Sequence, residues 1–109
     1  MAVSPSYQSF ILEQLSPLLP VRAQAMFGEV GLYTGDVFFA IIADDTLYFR
    51  TDAQTRVDYE AAQMPAFAPY RDRNRVMPYH ALPIDILEDE EQLQVWVERA
   101  VAAAERARK

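Results

Sequence analysis

The chain has 109 residues, enough for one domain with a core of its own, and its 51% hydrophobic and 24% charged content is globular and not disordered. The absence of cysteine excludes disulfides, thiolate nucleophiles and cysteine-containing metal sites. Ten basic against 16 acidic side chains give a formal charge of −6, a field that repels nucleic acid and anionic lipid unless a local basic patch overrides it.

The opening stretch, MAVSPSYQS, has neither the basic region nor the apolar core of a signal peptide, and no apolar run approaches the roughly 18 residues of a membrane span. The expected location is cytoplasmic. Ser4-Pro5 then starts a helix, a hydroxyl N-cap followed by proline at the first helical position. The spacing predicts a helix over 5–15 whose face of Tyr7, Phe10, Ile11 and Leu15, continued by Leu18, can lie on a sheet. Pro17 and Pro20 stop it. Residues 21–26 alternate and read as an extended segment that runs through Phe27 into Gly28 and Gly31, glycines that let the strand bend or bulge before Leu32-Tyr33.

The stretch 26–50 organises the chain as a meander. Val37–Ala43 contains no polar residue, the pattern of a central strand covered on both faces. Thr34-Gly35-Asp36 offers a hairpin before it and Asp44-Asp45 another after it. In the strand that follows, Leu47 and Phe49 alternate with Tyr48 and Arg50. Thr51-Asp52-Ala53-Gln54 reads as a capping box with Thr51 as N-cap and Gln54 reaching back, or with Asp52 capping instead. The short helix it starts shows Val57, Ala61 and Met64 on its apolar face and ends at Pro65. Residues 66–71 and 75–80 flank Asp72-Arg73-Asn74 as a second hairpin, with Pro69 and Pro78 placing at least one strand at an edge or bulge. Pro83 breaks the chain again.

A last helix carries Glu88, Asp89, Glu90 and Glu91 at its start and Arg106, Arg108 and Lys109 at its end, matching the macrodipole. Leu93, Trp96, Val97, Ala100, Val101 and Ala104 form its buried stripe. The predicted order is α-β-β-β-α-β-β-α: a single α+β domain over residues 1–109, two-layered, with three helices on one face of a five-stranded antiparallel sheet.

Reactive groups are scarce, and neither a cofactor nor a metal is expected. His80 is the one histidine. As a general base of a small hydrolase-type enzyme it would need Asp85 or Glu88 as orienter, and the competing reading is a strand-end imidazole with a satisfied polar tip. Asp44-Asp45 fits turn chemistry better than cation binding, because neighbours in a turn point apart and no third carboxylate follows at calcium-loop spacing. Gly28-Glu29-Val30-Gly31 matches a phosphate-clamping GxxG loop only superficially, since it lies between extended segments and carries a carboxylate. Arg71, Arg73 and Arg75, interleaved with Tyr70 and Tyr79, are the one basic concentration. They read as a nucleic-acid contact or as a solvated hairpin tip, and the net charge weighs against nucleic acid. The surplus of apolar surface says more. Helices on one sheet face leave Phe38 or Phe39, Ile41 or Ile42, Tyr33 and Tyr48 on the other. A second copy, a protein partner, a small apolar ligand or the chain's own proline-rich hairpin must cover that face, and Phe38, Phe39 and Tyr48 are the candidate interaction residues.

Met26-Phe27-Gly28, Val30-Gly31-Leu32-Tyr33, the run from Phe39 through Asp45, Leu47-Tyr48-Phe49-Arg50-Thr51-Asp52, Tyr79-His80-Ala81-Leu82-Pro83, and Leu93 with Trp96 occur in an order that closely resembles the amino-terminal domain of the TfoX/Sxy regulators of transformation competence. Glu29 departs from the family's frequent second glycine. The resemblance implies a two-layer fold similar to secretion chaperones and offers no catalytic residues. The chain ends after its last helix, where full-length regulators continue into a helical second domain, so the resemblance implies a stand-alone TfoX-like module. The expected function is a non-enzymatic regulatory or protein-interaction module that self-associates or binds a protein partner, with no membrane or metal. Nucleic-acid binding through Arg71, Arg73 and Arg75 is the alternative.

Overall fold

The computed structural model describes residues 3–26, 28–68 and 76–108. Helix α1 spans Pro5–Leu15, and its N-cap Ser4 accepts the Tyr7 N–H at 3.3 Å. The Ser4 N–H itself donates to Asp45 Oδ1 at 2.8 Å, which ties the helix start to the sheet. Strands β1 (Arg22–Met26), β2 (Glu29–Thr34), β3 (Val37–Ala43) and β4 (Thr46–Arg50) follow, then helix α2 (Arg56–Ala61), strand β5 (Tyr79–Ala81), and helices α3 (Ile84–Leu87) and α4 (Glu90–Ala107). The sheet is five-stranded and antiparallel in the order β1-β2-β3-β4-β5, so the all-apolar β3 is central, as its composition requires.

The strands are distributed differently from the sequence reading. Residues 21–33 do not form one bent strand: Met26 pairs with Glu29, and Gly28 between them has φ +84°, a conformation glycine adopts without penalty. The chain reverses there, and four strands precede α2. Only β5 follows it. Of the expected partner strand at 66–71, the described residues 66–68 contribute a bridge between Ala66 and His80, flanked by bonds from Phe67 N–H to Tyr79 O (2.7 Å) and from Ala81 N–H to Pro65 O (3.0 Å), and residues 69–71 lie outside the described residues. Pro65 and Pro78 have no N–H to give a longer ladder, and the Pro78 carbonyl instead accepts from Thr51 N–H at 2.8 Å. The turn at Asp72-Arg73-Asn74 lies outside the described residues. Pro83, read as a break, also starts the short α3.

Turn chemistry behaves as the sequence suggests at β3–β4, where Asp44 and Asp45 both have φ +52° between the paired Ala43 and Thr46. Two positive φ values in a two-residue loop define the I′ class, whose twist suits a hairpin and whose αL positions aspartate tolerates. The capping box before α2 is not formed by Thr51, which is buried and bonded elsewhere. Asp52 takes the role: its Oδ1 accepts from the Gln54 and Thr55 N–H groups at 3.0 and 3.1 Å, while its own N–H donates to Thr55 Oγ1 at 3.0 Å. The face of α2 is also rotated from the expected one. Val57 is 53% exposed, and Tyr59 is the buried residue, its ring edge-on to Trp96 at 4.8 Å. One large ring outweighs two small aliphatic groups in setting which way a six-residue helix rolls.

All the helices that contribute to the main core pack on one sheet face. Ile11 and Leu15 of α1, Ile86 and Leu87 of α3, and Leu93, Val97, Ala100 and Ala104 of α4 meet Val30, Leu32, Phe39, Ile42, Leu47 and Phe49. The stripe read from the sequence of α4 holds, with Ala103 added and with Trp96 and Val101 at its margins. Its arginines do more than complement the macrodipole: Arg99, Arg106 and Arg108 reach Asp58, Asp52 and Asp36 at 2.8, 2.7 and 3.1 Å, pinning α4 to α2 and to the sheet.

Candidate interaction surface

A β-bulge decides which side chains reach the second sheet face. Leu32 pairs with Ala40, but Tyr33 pairs with Phe38, so β3 carries one extra residue, Phe39, at this point. Strict alternation fails there. Phe39 and Ala40 both turn to the helices, and Phe38, Ile41 and Ala43 turn to the other side. Phe39 is fully buried (0% exposed) beneath the helices and is removed from the candidate surface, whereas Phe38 and Tyr48 lie together on the second face, both partly exposed.

That face is built as a row across the strands. Arg22 of β1 sits over the Tyr33 ring at 4.5 Å; Tyr33 stacks on Phe38 at 4.9 Å with planes 20° apart; Phe38 meets Tyr79 at 5.6 Å; and Arg50 lies over Tyr79 at 5.5 Å. A guanidinium thus closes each end of an aromatic row, the geometry of a cation–π contact. Burial is the largest influence on the Tyr79 hydroxyl and raises its pKa, against the pull of the neighbouring Arg50. The Nε of Arg50 is buried and makes no hydrogen bond among the described residues. Tyr33 thus contacts both a guanidinium and a second ring.

The chain covers part of this face itself. Phe67 and Met77 close over Ile41, Ala43 and Tyr79, with Phe67 tilted against Tyr48 at 5.0 Å and the Met77 N–H donating to Phe67 O at 2.9 Å. Met26, Tyr33, Phe38 and Tyr48 stay partly exposed beside that cover. By alternation the charged side chains among the described strand residues of this face are Arg22, Arg50 and Glu29. Burial raises the Glu29 carboxyl above its ordinary value. Arg71, Arg73 and Arg75 lie outside the described residues. The roles of Arg22 and Arg50 escaped the sequence reading, although the hairpin at Gly28 would have set Arg22 opposite Tyr33 once recognised.

His80 sits elsewhere. It is on the helix side of β5, 8% exposed, with Nδ1 2.9 Å from Thr51 Oγ1 and its ring 5.5 Å from that of Tyr59. Desolvation depresses its pKa, with Glu60 opposing and Arg56 reinforcing the shift. Asp85 and Glu88, the orienters considered for it, instead line a groove between α1 and α3. Among the described residues no cluster of three or more His, Asp or Glu side chains is arranged to hold a metal ion, and no helix is long and apolar enough to cross a membrane.

These features define a small α+β module with one helix-covered sheet face and one partly open, cation-capped aromatic face. A family model described as the TfoX N-terminal domain matches residues 13–104, and the chain belongs to that family. It is also similar, at 41% identity over 54 residues, to an uncharacterized 12.7 kDa protein in the trpE 5′ region of Spirochaeta aurantia. That similarity covers 49% of this chain and 47% of the relative.

Proposed function

We propose that this TfoX-like domain is a non-enzymatic, cytoplasmic regulatory module that acts by protein contact and pairs with a second copy of itself through the open part of the aromatic face. The observation that carries this reading is that Tyr33, Phe38 and Tyr48 stay partly exposed on a face where the chain has already buried Ile41, Ala43 and Tyr79. Contiguous aromatic surface of this kind marks a contact site. The charge distribution allows a copy as the partner. A chain with a formal charge of −6 repels its own copies over most of its surface, but this face carries two arginines against one glutamate. A two-fold contact sets the same patch against itself, and the uncharged rings of Tyr33, Phe38 and Tyr48 suit its centre, with Arg22 and Arg50 at the ends of the row. Strand β1 borders the face as the outer strand, and its edge offers backbone groups for the same pairing. A transcription-linked role, as in competence regulation, would be exerted through such an assembly. Light scattering on the native chain and on Phe38→Ser tests this: a dimer that the substitution dissociates supports the reading, and a native chain that stays monomeric rejects it.

A further inference from the structure

The helical layer carries a second surface, distinct from the aromatic face. An open cleft of about 530 Å³ lies between α1 and α3, with Phe10 on one wall and Ile84 on the other. Both are unusually bare for large apolar residues, Phe10 at 38% and Ile84 at 66% exposure. The cleft is floored by Leu47, Leu82 and Leu87. Its charges have one sign. Asp45 projects from the β3–β4 turn, Asp85 and Glu88 from α3 and its end, and no arginine, lysine or histidine is among the described residues that line it. Carboxylates therefore stand on two sides of an apolar floor.

We infer that this cleft is a docking groove for a basic amphipathic helix of a partner protein. Such a helix presents apolar side chains at i, i+3, i+4 and i+7 along one stripe and lysines or arginines on both flanks, which matches an apolar channel with acidic walls. The match is electrostatic as well as steric, because an acidic rim on an acidic molecule steers a basic partner in and turns an acidic one away. Anionic lipid and nucleic acid fail the same criterion. Among the described residues only Oδ1 of Asp45 is hydrogen-bonded, by the Ser4 N–H.

The test uses the full chain and a labelled synthetic helix with leucines at that spacing and lysines on its flanks, read by fluorescence anisotropy at two salt concentrations. Two comparison peptides share its leucine content: one keeps the lysines but scrambles the leucine positions, and the other replaces lysine by glutamate. The patterned lysine helix is expected to bind, and the other two are not. Ile84→Ser, at an exposed site where far-UV circular dichroism verifies folding, is expected to weaken binding about tenfold. The triple variant Asp45→Asn, Asp85→Asn, Glu88→Gln is expected to weaken it similarly and to flatten its salt dependence. Phe38→Ser is expected to leave it unchanged, which separates this groove from the aromatic face. Failure of the patterned helix to bind, equal binding of the scrambled peptide, or indifference to Ile84→Ser overturns the inference. Two further results also overturn it, by naming another occupant. Dodecylammonium binding without peptide binding assigns the cleft to a small amphiphile, and self-association abolished by Ile84→Ser without peptide binding assigns it to a second copy.

Discussion

The rings of Tyr33 and Phe38 lie nearly parallel across the β2–β3 pair, 4.9 Å between centroids, because the extra residue Phe39 shifts the register by one. Without that bulge an alternating strand would send Phe38 to the helices together with Ala40 and Ile42. The bulge lets two consecutive phenylalanines serve opposite faces, Phe39 in the core and Phe38 at the surface.

Neighbouring substitutions therefore differ sharply. Phe39→Ala removes a fully buried ring and is expected to destabilise the fold by about 3–5 kcal/mol. Phe38→Ala loses a partly exposed ring and its stacking on Tyr33, and is expected to cost only about 1 kcal/mol. Urea denaturation with an unchanged m-value measures both, and equal losses would mean that the two rings do not occupy opposite faces.

The β3–β4 turn makes a second contrast. Asp44 sits at φ +52°, where a β-branched side chain is strained and glycine is not. Asp44→Val is expected to destabilise by about 1–2 kcal/mol. Asp44→Gly is expected to be neutral or to raise the melting temperature. A valine variant as stable as the native chain would contradict the I′ geometry.

Much of this was legible in the sequence because local chemistry dictated it. Ser4-Pro5 capped α1, the run Val37–Ala43 had no polar residue and became the central strand, and the periodicity of Leu93, Val97, Ala100 and Ala104 placed α4. What escaped depended on contacts distant along the chain. The bulge at Phe39 follows from packing on both sheet faces, and no turn residue marks it. Local spacing leaves the cap open between Thr51 and Asp52, and His80, 29 positions from Thr51, settles it by pairing with the Thr51 hydroxyl. The helical spacing puts Phe10 on the sheet-facing stripe of α1, yet it opens into the groove beside Ile84.

Acid sensitivity follows from His80. Desolvation lowers its folded-state pKa below the unfolded value of about 6.5, so the unfolded chain binds the proton more readily. Its contribution to stability is complete above about pH 6.5 and is lost as the pH falls through the depressed folded value. His80→Gln is expected to flatten the fall in melting temperature between about pH 7 and 5. An NMR titration of the native imidazole with a midpoint above about 6.5 would reverse the sign and contradict the burial described here.

Asp52 joins the turn before α2 to the far end of α4. Burial acts to raise its pKa, but the Arg106 hydrogen bond, the Thr55 and Gln54 amides and the Arg106 charge outweigh it, and the carboxyl is held below its ordinary value. Stability from this group is therefore present above about pH 3.9 and is lost as the pH falls through the lowered value. Asp52→Ala is expected to destabilise by about 1 kcal/mol, with faster amide exchange at Thr55, whose N–H bonds to the carboxylate. Unchanged exchange there would show that the carboxylate does not hold the turn.

Self-association through the open aromatic face is tested most directly by the mass of the native chain in solution, measured by multi-angle light scattering across micromolar concentrations beside Phe38→Ser. The expected result is twice the chain mass for the native protein and a single-chain mass for the variant, with the two giving the same far-UV spectrum. A native protein that keeps the single-chain mass at every concentration, or a dimer that Phe38→Ser leaves intact, would contradict it.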